Sequence, residues 1–209
     1  MRPRDLVYDR LKQRILLNAL APETALTELG LAQELGASQG TVREALLRLQ
    51  EDGLVTRSGH RGTTVTPLDA EAAIEILALR RQIEQRGALR AAARIDAAGL
   101  AALADLQRRM DGAAAAGEAY RLIELDVAFH MTIFRAAGLG ALEPILNRCM
   151  LHTHRHKLWA PRHNRPLAET AARHRPILTA LKQGGEALAA ALGQHLDTIV
   201  DLAPERIAS

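Results

Sequence analysis

Between Leu26 and Val65 the chain passes from helical periodicity to short β-prone runs, and this stretch constrains the fold more than any other. Leu29, Ala32 and Leu35 recur at helical spacing behind Thr27, a residue suited to capping a helix N-terminus. Gly36 follows, and glycine ends helices because it enters the left-handed region without steric cost. A second helical run starts at Ser38, another capping residue, with Thr41 and Glu44 offering an alternative capping box one turn later. Val42, Ala45, Leu46 and Leu49 then face a core, leaving Gln39, Thr41, Arg43 and Arg48 outward. After Gly53 the runs Leu54–Arg57 and Thr63–Thr66 favour strands. The tip between them, Ser58–Gly62, carries His60 and Arg61. Two helices, a tight turn and a hairpin make the pattern of a winged helix-turn-helix, in which one helix can enter a DNA major groove. A small helical subdomain with a hairpin fits the same pattern, and the spacing alone leaves both open.

Past Pro67-Leu68 the periodicity is helical to the end. The expected division is residues 1–66, a linker at 67–69, and an all-helical unit at 70–209. Six helices are expected there, approximately 69–95, 97–116, 118–137, 139–159, 166–184 and 186–203. Asp96 caps the second, and Pro144 requires the fourth to start late or kink. Short connections make antiparallel neighbours and hence a bundle. The fold class is therefore mostly α: a three-helix winged unit followed by an all-α bundle.

One constellation in the bundle carries chemistry. Asp126 and His130 are spaced i, i+4 and share a helix face. His174 and His195 lie on the fifth and sixth expected helices. If those helices face the third, three imidazoles and a carboxylate converge, as in metal sites built from facing helices. Mixed nitrogen and oxygen donors suit a divalent ion, zinc foremost, with nickel, manganese or iron also suited. With eight histidines in the chain, a coincidental Asp-His pair is the competing reading. A second cluster, His152, His154 and His156, alternates with Arg155 and Lys157 and reads as a solvated basic face.

Composition sets limits. The net charge is +3, and residues 1–66 hold nine Lys/Arg against eight Asp/Glu, so charge alone does not argue for nucleic acid. A lone Cys149 excludes an intrachain disulfide framework and fits a reducing, cytoplasmic setting. The N-terminus lacks the charged start and apolar block of a signal peptide, and no apolar run is long enough to span a membrane.

The segment Leu6–Leu68 resembles the DNA-binding domain of the GntR family of bacterial transcription regulators. The resemblance rests on VYDRLKQRI, Pro22, Leu26, Leu31-Ala32, Leu35-Gly36, the run VREALLRLQEDGLV, and Arg61-Gly62. It implies that the helix from about Ser38 to Asp52 reads DNA, with Arg43 on a contacting position and Ser38 and Thr41 on phosphate or sugar. It also places His60 and Arg61 near the minor groove or backbone. Leu29 and Gln39 stand where the family usually has Arg; Gln39 can still read adenine, whereas Leu29 cannot grip phosphate.

Residues 69–209 resemble the effector domain of the FadR-type (FCD) branch, in its shorter six-helix form. That resemblance runs through Leu79-Arg80-Arg81 with Glu84, Asp126 with Phe129-His130, Ala136-Ala137-Gly138, His174 and Gln194-His195-Leu196. It implies that Asp126, His130, His174 and His195 hold a divalent metal, that a small organic acid binds there, and that Arg80 takes its carboxylate. An intrahelical ion pair with Glu84 is the alternative for Arg80. The expected protein is a ligand-responsive homodimeric regulator on a roughly palindromic double-stranded operator. Repression relieved by effector is the commoner arrangement in the family. A metal sensor whose ion is the effector is the first alternative and a metal-dependent hydrolase the second, although no proton shuttle or nucleophile motif accompanies the site.

Overall fold

The computed structural model describes residues 3–58, 62–67, 69–159 and 165–199. The N-terminal unit begins with α1 (Pro3–Leu16), whose Val7, Leu11 and Ile15 recur every fourth residue and are buried. Then come β1 (Ala25–Leu26), α2 (Glu28–Leu35) and α3 (Gln39–Glu51). Thr27 caps α2 by accepting from the Gly30 N–H at 3.2 Å, and Gly36 ends it at φ 62°. Ser38, not the alternative box one turn later, caps α3, its Oγ accepting from the Thr41 N–H at 3.1 Å.

The apolar face of α2 differs from the expected one. Leu31 and Ala32 are buried, while Leu29 is 56% exposed. The hairpin strands β2 (Val55–Ser58) and β3 (Gly62–Val65) form as expected, but β1 adds to them. The resulting antiparallel sheet has order β1-β3-β2, with Ala25 opposite Thr64 and Val55 opposite Val65. A strand of two residues is too short to show alternation, so only its pairing with β3 reveals it.

The bundle contains α4 (Ala70–Ala91), α5 (Ala97–Ala115), α6 (Ala119–Ala136), α7 (Glu143–Trp159), α8 (Leu167–Ala172), α9 (Arg175–Leu181) and α10 (Gly185–Asp197). Asp96 caps α5 through the Gly99 N–H at 2.8 Å. Pro144 falls in the first turn of α7, where its missing N–H costs nothing, and a 3-10 turn at Gly140–Leu142 precedes it. The expected fifth helix is two helices. Pro176 cannot donate to the preceding turn and its ring would clash with the carbonyl there, so the chain breaks at Arg173–His174 and Pro176 falls in the first turn of α9. The end of the sixth expected helix beyond residue 199 lies outside the described residues.

The core of the winged unit does not close on itself. Ile123 of α6 and Leu151 of α7 pack into the cluster made by Tyr8, Leu11, Leu46 and Leu49. Polar contacts reinforce this junction. Asp52, at the C-terminus of α3, accepts hydrogen bonds from the Tyr8 hydroxyl and from Asn147 Nδ2, the latter at 3.0 Å. Gly53 follows at φ 74°, and a Cβ there would collide with the Arg148 guanidinium.

Candidate functional site

Two surfaces concentrate polar side chains. On the winged unit, the outward side of α3 presents Ser38, Gln39 and Arg43 to solvent, with Thr41 partly covered. Arg43 is 58% exposed at its side chain and forms a two-pronged pair with Glu28, at 3.0 Å from Nε and 2.7 Å from NH2. Arg57 of β2 approaches the same carboxylate at 3.4 Å. Arg48 faces away, stacked 3.9 Å over the Tyr8 ring and paired to Asp5 at 2.9 Å. His60 and Arg61 lie outside the described residues.

In the bundle, α6 brings Asp126 and His130 to one face, the α8–α9 break supplies His174, and α10 supplies His195. All four are buried, and one candidate ligand atom from each lies within 4.8 Å of the others. Metal–nitrogen and metal–oxygen bonds of ~2.1 Å put donors at most ~4.2 Å apart, so a slight contraction would bring this set to coordination distance.

His130 and His174 are each held by defined partners. Glu84 of α4 receives His130 Nδ1 at 2.5 Å, which leaves His130 Nε2 buried with no partner and turned to the cluster. Arg80, fully buried, grips the other Glu84 oxygen through Nε at 2.6 Å. Burial alone would raise the Glu84 carboxyl, but His130 and Arg80 hold it down at about 2. His174 Nδ1 reaches the Ala171 carbonyl at 3.3 Å, and its Nε2 meets Asp126 Oδ1 at 2.9 Å. If Nδ1 carries the proton, a lone pair faces a carboxylate oxygen, an arrangement that calls for a proton or a cation between them. Both nitrogens of His195 are buried without partners. Burial first, then His174 and His130, push His195 well below the ordinary imidazole range, which keeps it in the neutral form that can donate to a metal.

The sequence reading of the His152–His156 cluster is overturned. His154 is 6% exposed and its Nε2 meets Asp126 Oδ2 at 2.8 Å, while Arg155 is also buried. Against the penalty of burial, His154 and His174 together hold the Asp126 carboxyl well below the ordinary range. A signal was available: Leu146, Met150 and His154 are spaced i, i+4, i+8, so His154 continues the buried stripe of α7. For Arg80 the intrahelical pair with Glu84 is present, yet NH1 and NH2 have no hydrogen-bond partner, and NH2 lies 3.9 Å from Asp126 Oδ2.

Residues 3–65 match the model for bacterial regulatory proteins of the gntR family, and residues 75–198 match the FCD domain. The chain belongs to the GntR family, with an FCD domain. An HTH-type transcriptional regulator in an unstable DNA locus of Streptomyces ambofaciens is 30% identical over 93% of this chain and 82% of its own. The Nta operon transcriptional regulator of Aminobacter aminovorans is 29% identical over 87% of each. Among solved structures, E. coli McbR/YncC shares the fold at TM-score 0.77 and 24% identity, covering 94% of both chains. A GntR regulator from Rhodococcus sp. RHA1 aligns at TM-score 0.69 and 25% identity over 93% of this chain and 92% of its own.

GntR regulators bind DNA operators and typically act as dimers, and the relatives of this chain are transcription regulators rather than enzymes. This GntR protein is accordingly a DNA-binding transcription regulator. Among its described residues no helix is long and apolar enough to cross a membrane.

Proposed function

We propose that this regulator is a cytoplasmic bacterial repressor whose bundle holds a divalent metal, zinc foremost, and releases DNA when a small organic acid binds beside it. The winged unit at 1–66 would contact a roughly palindromic operator through Ser38, Gln39, Thr41 and Arg43, with His60 and Arg61 at the wing, two copies acting as a homodimer. The bundle at 70–209, joined through the 67–69 linker, would take the metal on Asp126, His130, His174 and His195.

The observation that carries this reading is the set of orphaned nitrogens. His130 Nε2 and both His195 nitrogens are buried without partners around one carboxylate, a costly arrangement that a cation would satisfy. Four protein donors leave positions open on an octahedral ion, and such an ion would supply a Lewis-acidic anchor for a carboxylate. Arg80 supports an acid as the effector, in preference to the ion alone, because its NH1 and NH2 have no hydrogen-bond partner and make a fork of carboxylate geometry beside Asp126. Transmission requires that the acid bind the DNA-competent and DNA-incompetent states differently. α7 is suited to convey the difference, since His154 touches Asp126 while Asn147 holds Asp52 at the end of α3.

The test joins metal analysis to DNA binding. Purified protein should hold about one metal per chain, and His130→Ala should lose it while keeping the wild-type helix content by circular dichroism. Fluorescence anisotropy on DNA upstream of the protein's own gene should show selective binding at physiological salt. Full metal occupancy in His130→Ala, or equal affinity for random DNA, would overturn the corresponding half of the reading.

A further inference from the structure

The Asp126 carboxylate is held from two sides. Oδ1 lies 2.9 Å from Nε2 of His174, a fellow member of the four-residue cluster. Oδ2 is met from α7, where His154 Nε2 lies 2.8 Å away, and Arg80 NH2 stands 3.9 Å off. His154 itself is outside the cluster. An ionised carboxylate only accepts, so His154 Nε2 carries the hydrogen of this bond.

The bond matters because of the torsion it restrains. An aspartate carboxylate turns about a broad, roughly two-fold χ2, so nothing in the residue chooses which oxygen faces a neighbour. His154 makes that choice, and its ring is buried on a helix packed against both α4 and α6. Asp126 and His154 also line a cleft between α6, α7 and α8, walled by Leu122, Leu167 and Thr170. The cleft encloses about 60 Å³, room for a few waters. With the imidazole removed, water from this side can satisfy Oδ2 but cannot hold the carboxylate in one orientation.

We propose that His154 is a positioning residue for the metal site: it holds Asp126 Oδ2 so that the carboxylate meets the ion through Oδ1 alone. The inference rests on the metal-binding half of the reading above. A single oxygen from Asp126 with three imidazoles makes a four-donor set that suits zinc. Calcium, which needs more oxygens and often takes both from one carboxylate, is disfavoured by the same orientation.

Two substitutions separate this role from mere packing. Zinc affinity of the full-length protein, stripped of metal, is read by competition with a chelating dye, and the ligand field by the visible spectrum after loading with cobalt(II). His154→Ala should keep the wild-type helix content by circular dichroism, weaken zinc binding about 10–100-fold and shift the cobalt bands as the carboxylate changes its mode of binding. His154→Gln, whose side-chain amide can donate to Oδ2 from a similar place, should recover most of the affinity and the wild-type bands. Wild-type affinity and cobalt bands in His154→Ala would overturn the positioning role and leave the metal site standing. So would a loss in His154→Ala that His154→Gln repeats in full, since the inference requires the bond and not the volume. Wild-type protein that binds neither zinc nor cobalt would overturn the metal reading and this inference with it.

Discussion

Glu28 holds Arg43 by two prongs on the outward side of α3, so a side chain proposed to meet DNA is paired to a carboxylate in the free protein. Guanine or phosphate must therefore compete with Glu28 for the same guanidinium. The Arg43 side chain is exposed and the pair lies at the surface, so the exchange costs little. Arg43→Ala should weaken operator binding by ~1–3 kcal/mol. Glu28→Gln should act in the other direction on random DNA, tightening it at low salt by removing a negative charge from the contacting face. Anisotropy titrations on operator and random DNA at several salt concentrations read both effects. An operator affinity unmoved by Arg43→Ala would remove Arg43 from the interface.

Asp52 carries the junction between α3 and α7. Asp52→Ala leaves the buried Tyr8 hydroxyl without its acceptor, a loss of ~1–3 kcal/mol. Asn147→Ala removes one hydrogen bond and should cost only ~0.5–1.5 kcal/mol. Urea titration of the two variants should give that order. Hydrogen exchange should localise the change in Asn147→Ala to the C-terminal turn of α3, and protection unchanged there would show that the bond does not restrain the helix.

His152 supplies a pH dependence at the same junction. Burial first, then Arg155 and Arg148, bring it from 6.5 down to about 4, against a hydrogen bond to the Gly53 backbone. The unfolded chain therefore binds this proton before the folded one does. The stability associated with neutral His152 is complete above about pH 6.5 and is lost as pH falls towards about 4. His152→Gln should flatten the difference, so melting temperatures of wild type and variant should converge between pH 7 and pH 4.5. Parallel curves across that range would show that the ring titrates normally.

Glu84 would act on the proposed metal site through His130. A carboxylate behind a ligating imidazole fixes its tautomer and raises its basicity. Glu84→Gln should keep the fold and reduce zinc affinity ~10–100-fold in a competition titration with a chelating dye. Zinc affinity equal to wild type would mean that Glu84 serves only to neutralise Arg80.

Much of this was readable from residue spacing, and the failures have physical causes. Thr27, Gly36 and Ser38 act locally, so the caps and turn of the winged unit follow from the chain itself. Asp126 and His130 are neighbours on one helix for the same local reason. Leu29 misleads because a helix of two turns has room for an apolar residue on either side, and only tertiary packing chooses. Pro176 was visible, but the sustained apolar period on both sides of it concealed the break that places His174. His154 looked solvated because its neighbours are basic, yet its own position continues a buried stripe. Glu84 reads as the partner of Arg80 from i, i+4 spacing, whereas its bond to His130 crosses between helices and has no signature in the sequence.

The two faces of α7 belong to different cores: Leu146 and Met150 pack with Ile83 and Phe134, and Leu151 packs with the winged unit. A helix committed on both sides has little freedom to vary. A change in the cleft between α6, α7 and α8 would come more easily through substitutions on α8, whose Leu167 and Thr170 line it without packing into the winged unit's core. The lining of the cleft and the grip on α3 can then diverge separately, although a single helix runs between them.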